Sequence, residues 1–237
     1  MSDTRTRSYQ HNRSDGMPKG TNPGIVVRAL YEHKVRTLLD VGGGRGEFML
    51  YCRERKSDLT CWLVDVSTQA VASANRSGVY GWACDAGEDI LPYESAFFDA
   101  VHCGDTLEHI YATDALLDEI HRVLRPGGVF IVTVPNLAAW FNRLMLLVGV
   151  QPMYTQVCER TPGPRTGSHI RVMTTGALKW LLEQHGFAVK SMHGVGFCLG
   201  WGASKRYPVL TRLLSWLTCW NPYWANRVTV VAMKEQA

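Results

Sequence analysis

The sequence has no apolar run as long as the roughly 18 residues that a membrane-spanning helix needs. Residues 1–23 are polar and contain no apolar segment of the kind that a secretory signal carries. These absences argue against a membrane-spanning or exported protein. We therefore expect the chain in the cytoplasm.

The seven cysteines include no C-x-x-C pair, and their number is odd. A disulfide-stabilised domain would need an even set, and a structural zinc site usually needs closely paired cysteines. The pattern therefore disfavours both and suits a reducing compartment. The length of 237 residues fits one domain with insertions.

Beyond residue 36 the chain has no excess charge of either sign. The formal net charge is +4, and residues 1–36 contain seven basic and three acidic residues, which accounts for all of it. A dedicated nucleic-acid-binding protein normally presents a broad basic face, so this balance argues against a nucleic-acid partner. We predict that residues 1–23 form a flexible basic leader, which is either solvated or touches an anionic substrate or a membrane surface.

Short apolar runs alternate with segments of helical spacing along the chain. Because these runs are almost continuously apolar, the strands are expected to be covered on both faces, as in a parallel sheet. The alternation predicts an α/β fold with a doubly wound, mostly parallel sheet. The predicted strands are residues 35–41, 59–66, 79–84, 98–104, 129–134, 187–197 and 227–233, and the predicted helices are residues 24–34, 46–56, 68–76, 113–124, 137–148 and 174–185.

A glycine cluster, LLDVGGGRG at residues 38–46, ends the first predicted strand. Glycine lacks a Cβ atom, so the backbone there can turn sharply and approach a ligand closely. The helix that follows offers free N–H groups, which attract a carboxylate or a phosphate. Dinucleotide-binding loops have the spacing G-x-G-x-x-G. The glycines here lie at 42, 44 and 46, and this spacing does not fit that class.

Two acidic residues follow the next two predicted strands. Asp65 ends the second strand, about 20 residues after the glycines, where a carboxylate can accept hydrogen bonds from both ribose hydroxyls. Asp85 follows the third strand. Ligands of parallel sheets lie at the carboxyl ends of the strands, so the glycine cluster and both acids are expected at one site.

These features resemble the class I methyltransferases that use S-adenosylmethionine (SAM), whose first loop has the pattern D/E-x-G-x-G-x-G. The resemblance continues in FDAV at residues 98–101, LEH at 107–109 and LRPGG at 124–128, and is firmest over residues 35–136. It implies a Rossmann-like, seven-stranded sheet with an antiparallel last strand. It also implies that the glycine loop holds the methionine part of SAM and that Asp85 reads the adenine amino group. The implied SAM site is Asp40, Gly42, Gly43, Gly44, Gly46, Asp65, Val66, Asp85, Ala86 and Gly104.

The candidate reaction centre follows the fourth predicted strand. On a helix, Asp105, Glu108 and His109 would share one face, where two carboxylates and an imidazole could bind a divalent cation. The spacing is similar to the E-x-x-E-H motif of ubiquinone-biosynthesis O-methyltransferases and plant small-RNA 2′-O-methyltransferases, which use it with a metal, although aspartate stands first here. The resemblance places His169 where the small-RNA enzymes supply a further histidine. The predicted metal ligands are Asp105, Glu108 and His109, and the predicted catalytic residues are His109, His169 and Asp105.

Two other interpretations of this segment stay open. His109 or His169 could act alone as the general base for an acceptor oxygen. Alternatively, Asp105 is a helix N-cap and Glu108 completes a capping box, so that both are structural. His102, inside the fourth predicted strand, is interpreted as a packing or surface residue.

Two aromatic-rich stretches, residues 137–168 and 199–225, are predicted to be insertions within a single domain, residues 24–237. We predict that they form a lid over an apolar substrate or a face that rests on a membrane. Alternatively, they only cover the sheet. The predicted substrate contacts are Trp140, Phe141, Tyr154 and Trp201.

The sequence thus predicts an enzyme that transfers a methyl group from SAM to an oxygen of a small, apolar, lipid-linked or glycan-linked acceptor. If Asp105, Glu108 and His109 bind a metal ion, a divalent cation would be a second cofactor. The alternatives are a non-catalytic partner protein with the same fold and an RNA 2′-O-methyltransferase. The presence of the loop glycines disfavours the first alternative, and the lack of net charge beyond residue 36 disfavours the second.

Overall fold

Seven strands form one sheet in the computed structural model, which describes residues 23–155, 169–196 and 221–235. The order is β3-β2-β1-β4-β5-β7-β6, and β7 runs antiparallel to both of its neighbours while the other neighbouring strands are parallel. The predicted seven-stranded, mostly parallel sheet with an antiparallel last strand is therefore confirmed. The strands are β1 (Thr37–Val41), β2 (Thr60–Asp65), β3 (Tyr80–Ala83), β4 (Phe98–Gly104), β5 (Leu124–Pro135), β6 (Phe187–Val195) and β7 (Arg227–Lys234).

Helices cover both faces of the sheet, as the apolar strands require. One buried cluster contains side chains of the first three helices, and a second contains side chains of the fourth and sixth. The helices are α1 (Pro23–Glu32), α2 (Glu47–Arg55), α3 (Thr68–Arg76), α4 (Thr113–Val123), α5 (Trp140–Leu147) and α6 (Thr175–Gln184), and one 3-10 turn spans Leu107–His109. Pro23, which the sequence assigned to the basic leader, begins α1, where its missing N–H costs no hydrogen bond.

The strand after α4 begins earlier than the sequence predicted. Strand β5 starts at Leu124, which pairs with Phe98, and the register then shifts so that Val129 pairs with Ala100. The LRPGG segment is thus an irregularity inside the strand rather than a turn before it. At Gly128 a Cβ atom would lie 2.8 Å from the Arg125 carbonyl oxygen, so only glycine fits this irregularity without a shift.

The predicted insertions lie partly outside the described residues. The first is described as far as residue 155, where it forms α5 and the turn after it, and the second only from residue 221. Among the described residues, no helix is both long enough and apolar enough to cross a bilayer. The carboxyl ends of β1, β2, β3 and β4 meet at one edge of the sheet, and the candidate site lies there.

Candidate functional site

The glycine loop after β1 turns through backbone conformations that favour glycine. Gly42, Gly44 and Gly46 have φ angles of 74°, 58° and 81°, in the left-handed region that side chains with a Cβ rarely adopt. Gly46 then precedes α2 directly. Three left-handed residues within five positions let the chain leave the strand and enter the helix, and the N–H groups of Gly42 and Gly43 donate to the Val64 carbonyl oxygen.

Close packing against neighbouring side chains constrains the glycine loop in addition to its backbone angles. A Cβ atom at Gly42 would overlap Thr106 Oγ1 and lie 2.8 Å from Thr106 Cγ2. A Cβ atom at Gly43 would lie 2.8 Å from Leu63 Cβ. These two glycines therefore let the loop lie directly against the ends of β2 and β4.

We expect Gly42→Ala to destabilise the fold by about 1–3 kcal/mol more than Gly149→Ala. Both glycines have φ angles near 70°, but Gly149 has no atom within 4 Å of the added Cβ, so it reports the backbone strain alone. Urea unfolding of the two variants measures the difference. Equal unfolding midpoints would show that the Thr106 contact does not fix the loop.

Asp65 ties this loop to the next strand. Its Oδ2 accepts a hydrogen bond from the Gly44 N–H at 2.8 Å, and its Oδ1 accepts one from the Ser67 N–H at 2.9 Å. Each carboxylate oxygen has two lone pairs and can accept more than one hydrogen bond. Ser67 in turn caps α3 by accepting from the Ala70 N–H. The predicted ribose carboxylate is thus held in a fixed orientation beside the glycines.

Asp85 lies at the same edge, after β3. Its Oδ1 accepts from the Gly87 N–H at 2.9 Å, and its own N–H donates to Asp89. Val66 and Ala86 lie half-buried beside the two acids, and Gly104 ends β4. The structure therefore brings the residues that sequence analysis assigned to SAM to one edge of the sheet.

Asp40 makes a contact that sequence analysis missed. It lies opposite His102 in the register of β1 and β4, and its Oδ1 is 2.8 Å from His102 Nδ1. Both side chains are buried, and the Phe48 ring lies 4.5 Å from the imidazole. His102 is thus the buried partner of the first acid of the glycine motif. Two polar residues in adjacent, otherwise apolar strands were the signal that could have revealed this pair.

A second group of titratable side chains lies beyond β4. Glu108, His109 and His169 each offer one ligand atom, and these atoms lie within 4.8 Å of one another. The Glu108 carboxyl is only 1% exposed, and neither of its oxygens has a hydrogen-bond partner among the described residues. The His109 and His169 rings are 4.7 Å apart. We call these three residues the Glu–His–His cluster.

The protonation of His169 follows from its contacts. Its Nδ1 lies 3.1 Å from the Tyr154 carbonyl oxygen, which can only accept, so Nδ1 carries the hydrogen. In the neutral ring Nε2 then carries a lone pair, and this nitrogen lies 3.8 Å from Glu108 Oε1. A metal-binding histidine usually donates its other N–H to a carbonyl or carboxylate in this way. The cluster thus presents carboxylate oxygens and an imidazole lone pair to one point.

Burial raises the pKa of the Glu108 carboxyl and lowers the pKa of the His169 imidazole. Loss of solvent around the carboxyl, followed by repulsion from Asp105, raises the pKa of Glu108 to about 8. Loss of solvent around the ring, followed by the nearby His109, lowers the pKa of His169 to about 4. Without a cation, Glu108 is therefore protonated and His169 neutral at pH 7, an arrangement that neutralises buried charge.

Asp105 differs from the sequence prediction in its geometry. It does not share a helix face with Glu108 and His109, because it precedes the 3-10 turn with a left-handed φ angle of 52°. Its carboxylate forms an ion pair with Arg227 of β7. It also does not cap a helix, since Thr106 holds the N-cap position without a side-chain bond. Asp105 thus lies outside the group of three possible metal ligands, and His169 takes the third place.

Three of the predicted substrate contacts lie in a row of rings that reaches the cluster at His169. The rings of Trp140 and Phe141 are 6.0 Å apart, those of Phe141 and Tyr154 are 6.2 Å apart, and those of Tyr154 and His169 are 5.8 Å apart. These rings form a continuous row from α5 to the Glu–His–His cluster. Trp201, the fourth predicted contact, lies outside the described residues.

Comparison with known proteins identifies the family. The family model described as a methyltransferase domain matches residues 9–192, which is most of the chain. Malonyl-[acyl-carrier protein] O-methyltransferase of Enterobacter lignolyticus is 31% identical over 127 residues, covering 54% of this chain and 50% of that protein. Ubiquinone biosynthesis O-methyltransferase of Xylella fastidiosa is 28% identical over 120 residues, covering 48% and 47%. The chain spans half or less of the curated relatives it matches.

A solved structure shows the same fold. The 1,6-didemethyltoxoflavin-N1-methyltransferase of Burkholderia thailandensis, with its substrate and S-adenosylhomocysteine bound, superposes with a TM-score of 0.57 at 19% identity. The match covers 90% of this chain and 77% of that one. The matched family model, the strand order and the glycine loop agree, and the chain belongs to the methyltransferase-domain family, with the fold of the class I SAM-dependent methyltransferases.

Proposed function

We propose that the protein binds SAM at the glycine loop and transfers its methyl group to an oxygen of an apolar acceptor beside the Glu–His–His cluster. The observation that carries this proposal is the cluster itself. Its three ligand atoms converge at the same edge of the sheet as the glycine loop, and its carboxyl group is buried without a hydrogen-bond partner among the described residues. Burying a carboxyl group without a hydrogen-bond partner is costly, so the presence of Glu108 at this position favours a functional role.

Oxygen as the acceptor atom fits the chemistry of the cluster. A hydroxyl is a weak nucleophile and needs a base or a metal ion before it can displace the methyl group from a sulfonium. The Glu–His–His cluster is the only group of three or more possible metal ligands in the described part of the chain. Relatives named as O-methyltransferases support this choice.

The donor set favours a divalent cation as second cofactor. One carboxylate and two imidazoles are ligands that Mn²⁺, Fe²⁺, Co²⁺ and Zn²⁺ accept. Glu108 contributes the buried oxygens, His169 the Nε2 lone pair and His109 the more accessible ring. A cation held there would lower the pKa of a hydroxyl bound to it. The Tyr154 carbonyl keeps His169 in the tautomer that such binding needs.

The surroundings favour an apolar acceptor. The row of rings from Trp140 to Tyr154 leads up to His169, and Leu144, Leu147 and Val148 continue the apolar surface on the exposed side of α5. Apolar and aromatic walls with a few polar groups are typical of small-molecule pockets. We infer a small, lipid-linked or glycan-linked acceptor with an apolar part that contacts these rings, and contact of this surface with a membrane would suit a lipid-linked one.

We expect the full chain to bind one Mn²⁺ and Glu108→Gln to weaken this binding at least about tenfold, because the variant removes a charged ligand. Electron paramagnetic resonance of free Mn²⁺ during a titration measures the affinity. Glu183→Gln, the same change at an exposed ion pair with Lys179, serves as the control and should bind Mn²⁺ like the wild type. Equal binding by both variants would contradict the assignment of the cluster.

Transfer to oxygen can be tested with two matched acceptors. With tritiated SAM, 4-octylphenol should be labelled and 4-octylaniline should not, and Glu108→Gln should lower the rate on the phenol by about 100-fold or more. Labelling of the amine alone would contradict an oxygen acceptor. Labelling of RNA in preference to both probes would favour the 2′-O-methyltransferase alternative.

A further inference from the structure

Asn142 of α5 is a fully buried polar residue next to the aromatic row. Its Oδ1 accepts from the Met153 N–H at 2.8 Å, and its Nδ2 is 3.4 Å from the Met153 carbonyl oxygen and 3.5 Å from the Asn136 carbonyl oxygen. One side chain thus satisfies both backbone groups of Met153. This contact joins the turn after α5 to the helix itself.

The next residue, Tyr154, has an unusual backbone. Its φ angle is 76°, in the left-handed region that a tyrosine adopts only when its surroundings enforce it. In this conformation its carbonyl oxygen accepts the Nδ1–H of His169. The two hydrogen bonds of Asn142 hold Met153, the residue immediately before it, and the Thr155 hydroxyl donates to the Pro152 carbonyl oxygen across the same turn.

The other hydrogen bonds next to His169 hold the backbone, while the His109 and Tyr154 rings pack beside its imidazole. The N–H groups of Ile170 and Arg171 both donate to the Glu108 carbonyl oxygen, at 2.9 and 3.0 Å. These bonds place the α-carbon of His169 near the cluster. The rotation and tautomer of the ring depend on a partner for one of its nitrogens, and Tyr154 supplies it.

We propose that Asn142 is a positioning residue for His169. By fixing the Met153 backbone, it aims the Tyr154 carbonyl at Nδ1 and thereby keeps the Nε2 lone pair directed at Glu108. The consequence for methyl transfer rests on the proposed function, whereas the tautomer of His169 can be measured whether or not the protein transfers a methyl group.

The tautomer can be read by ¹⁵N NMR of the full chain labelled at histidine, at pH 7 and in EDTA. The shifts of a protonated ring nitrogen and of one with a lone pair differ, and His169→Gln assigns the signals. We expect His169 to be the Nδ1–H tautomer in the wild type. In Asn142→Leu, which has similar volume but no hydrogen bonds, we expect mostly the Nε2–H tautomer and an affinity for Mn²⁺ that is about 10–100-fold lower.

Two further variants make the test independent of misfolding. Asn142→Ser is too short to reach both groups of Met153 and should give the same change of tautomer. Asn75→Leu is the matched control, since Asn75 also bonds both the N–H and the carbonyl of one residue, Gly81, far from His169. Asn75→Leu should keep the Nδ1–H tautomer. Retention of that tautomer in either folded Asn142 variant would overturn the proposal.

Discussion

In EDTA at pH 7, Glu108→Gln should be more stable than the wild type by about 3 kcal/mol, although it should lose cation binding and methyl transfer. The reason is the buried carboxyl. Its pKa is raised to about 8 in the folded chain by burial and by Asp105, while the carboxyl of an unfolded chain has a pKa near 4.5. Glutamine keeps the shape and removes the ionisable group.

The pH dependence gives the sign of this effect. Between pH 4.5 and 8 the unfolded wild type loses a proton that the folded wild type retains, so the wild type becomes less stable as the pH rises through this range. The gain from Glu108→Gln should therefore be close to zero at pH 4, grow with pH and level off above pH 8. Urea unfolding at several pH values measures it, with Glu183→Gln as the exposed control. A variant that is less stable than the wild type at pH 7 in EDTA would contradict the raised pKa of the buried Glu108 carboxyl.

Asp65→Ala should weaken SAM binding by about 10–100-fold. The variant removes the carboxylate that is proposed to accept the ribose hydroxyls, and it also frees the Gly44 and Ser67 N–H groups that this carboxylate holds. Asp65→Asn keeps one acceptor oxygen and should lie between the wild type and Asp65→Ala. Equilibrium dialysis with labelled SAM measures the affinities.

The control for this change is Asp114→Ala, which removes an exposed carboxylate of α4 that is paired with His185. It should bind SAM like the wild type. If Asp65→Ala, shown to be folded by circular dichroism, also binds SAM like the wild type, then Asp65 does not contact the ribose.

Much of the fold could be predicted because its signals are local. The apolar runs and the helical spacing of Leu116, Leu117 and Ile120 gave the order of strands and helices. The strand that begins at Leu124 could not be predicted in this way. Its first residues pair with β4 across an irregularity, and pairing between strands is not visible in the spacing of Arg125 to Gly128.

The glycine loop could be predicted for the same reason, since its backbone angles depend on the residues themselves. The Glu–His–His cluster could be predicted only in part. Glu108 and His109 are adjacent, and the family resemblance indicated His169. Asp105 was grouped with them because helical spacing was assumed, but its partner is Arg227, which is 122 residues away along the chain. No local pattern could show that pair.

The other features that the sequence did not predict are polar contacts between residues far apart along the chain. Asp40 and His102 are brought together by the register of two strands, and Asn142 reaches His169 only through the turn that contains Met153 and Tyr154. Each of these contacts depends on where the chain returns to the sheet. Such contacts require coordinates, whereas the residue types that make them can be recognised in the sequence.

Calorimetric titration of the full chain with SAM tests whether the glycine loop binds this cofactor. We expect saturable binding at one site, competition by S-adenosylhomocysteine, and unchanged SAM binding when EDTA removes divalent cations, because the glycine loop and the Glu–His–His cluster are separate groups of residues. Absence of binding by the folded wild-type chain, with or without Mn²⁺, would contradict the assignment of the glycine loop to SAM and with it the proposed methyl transfer.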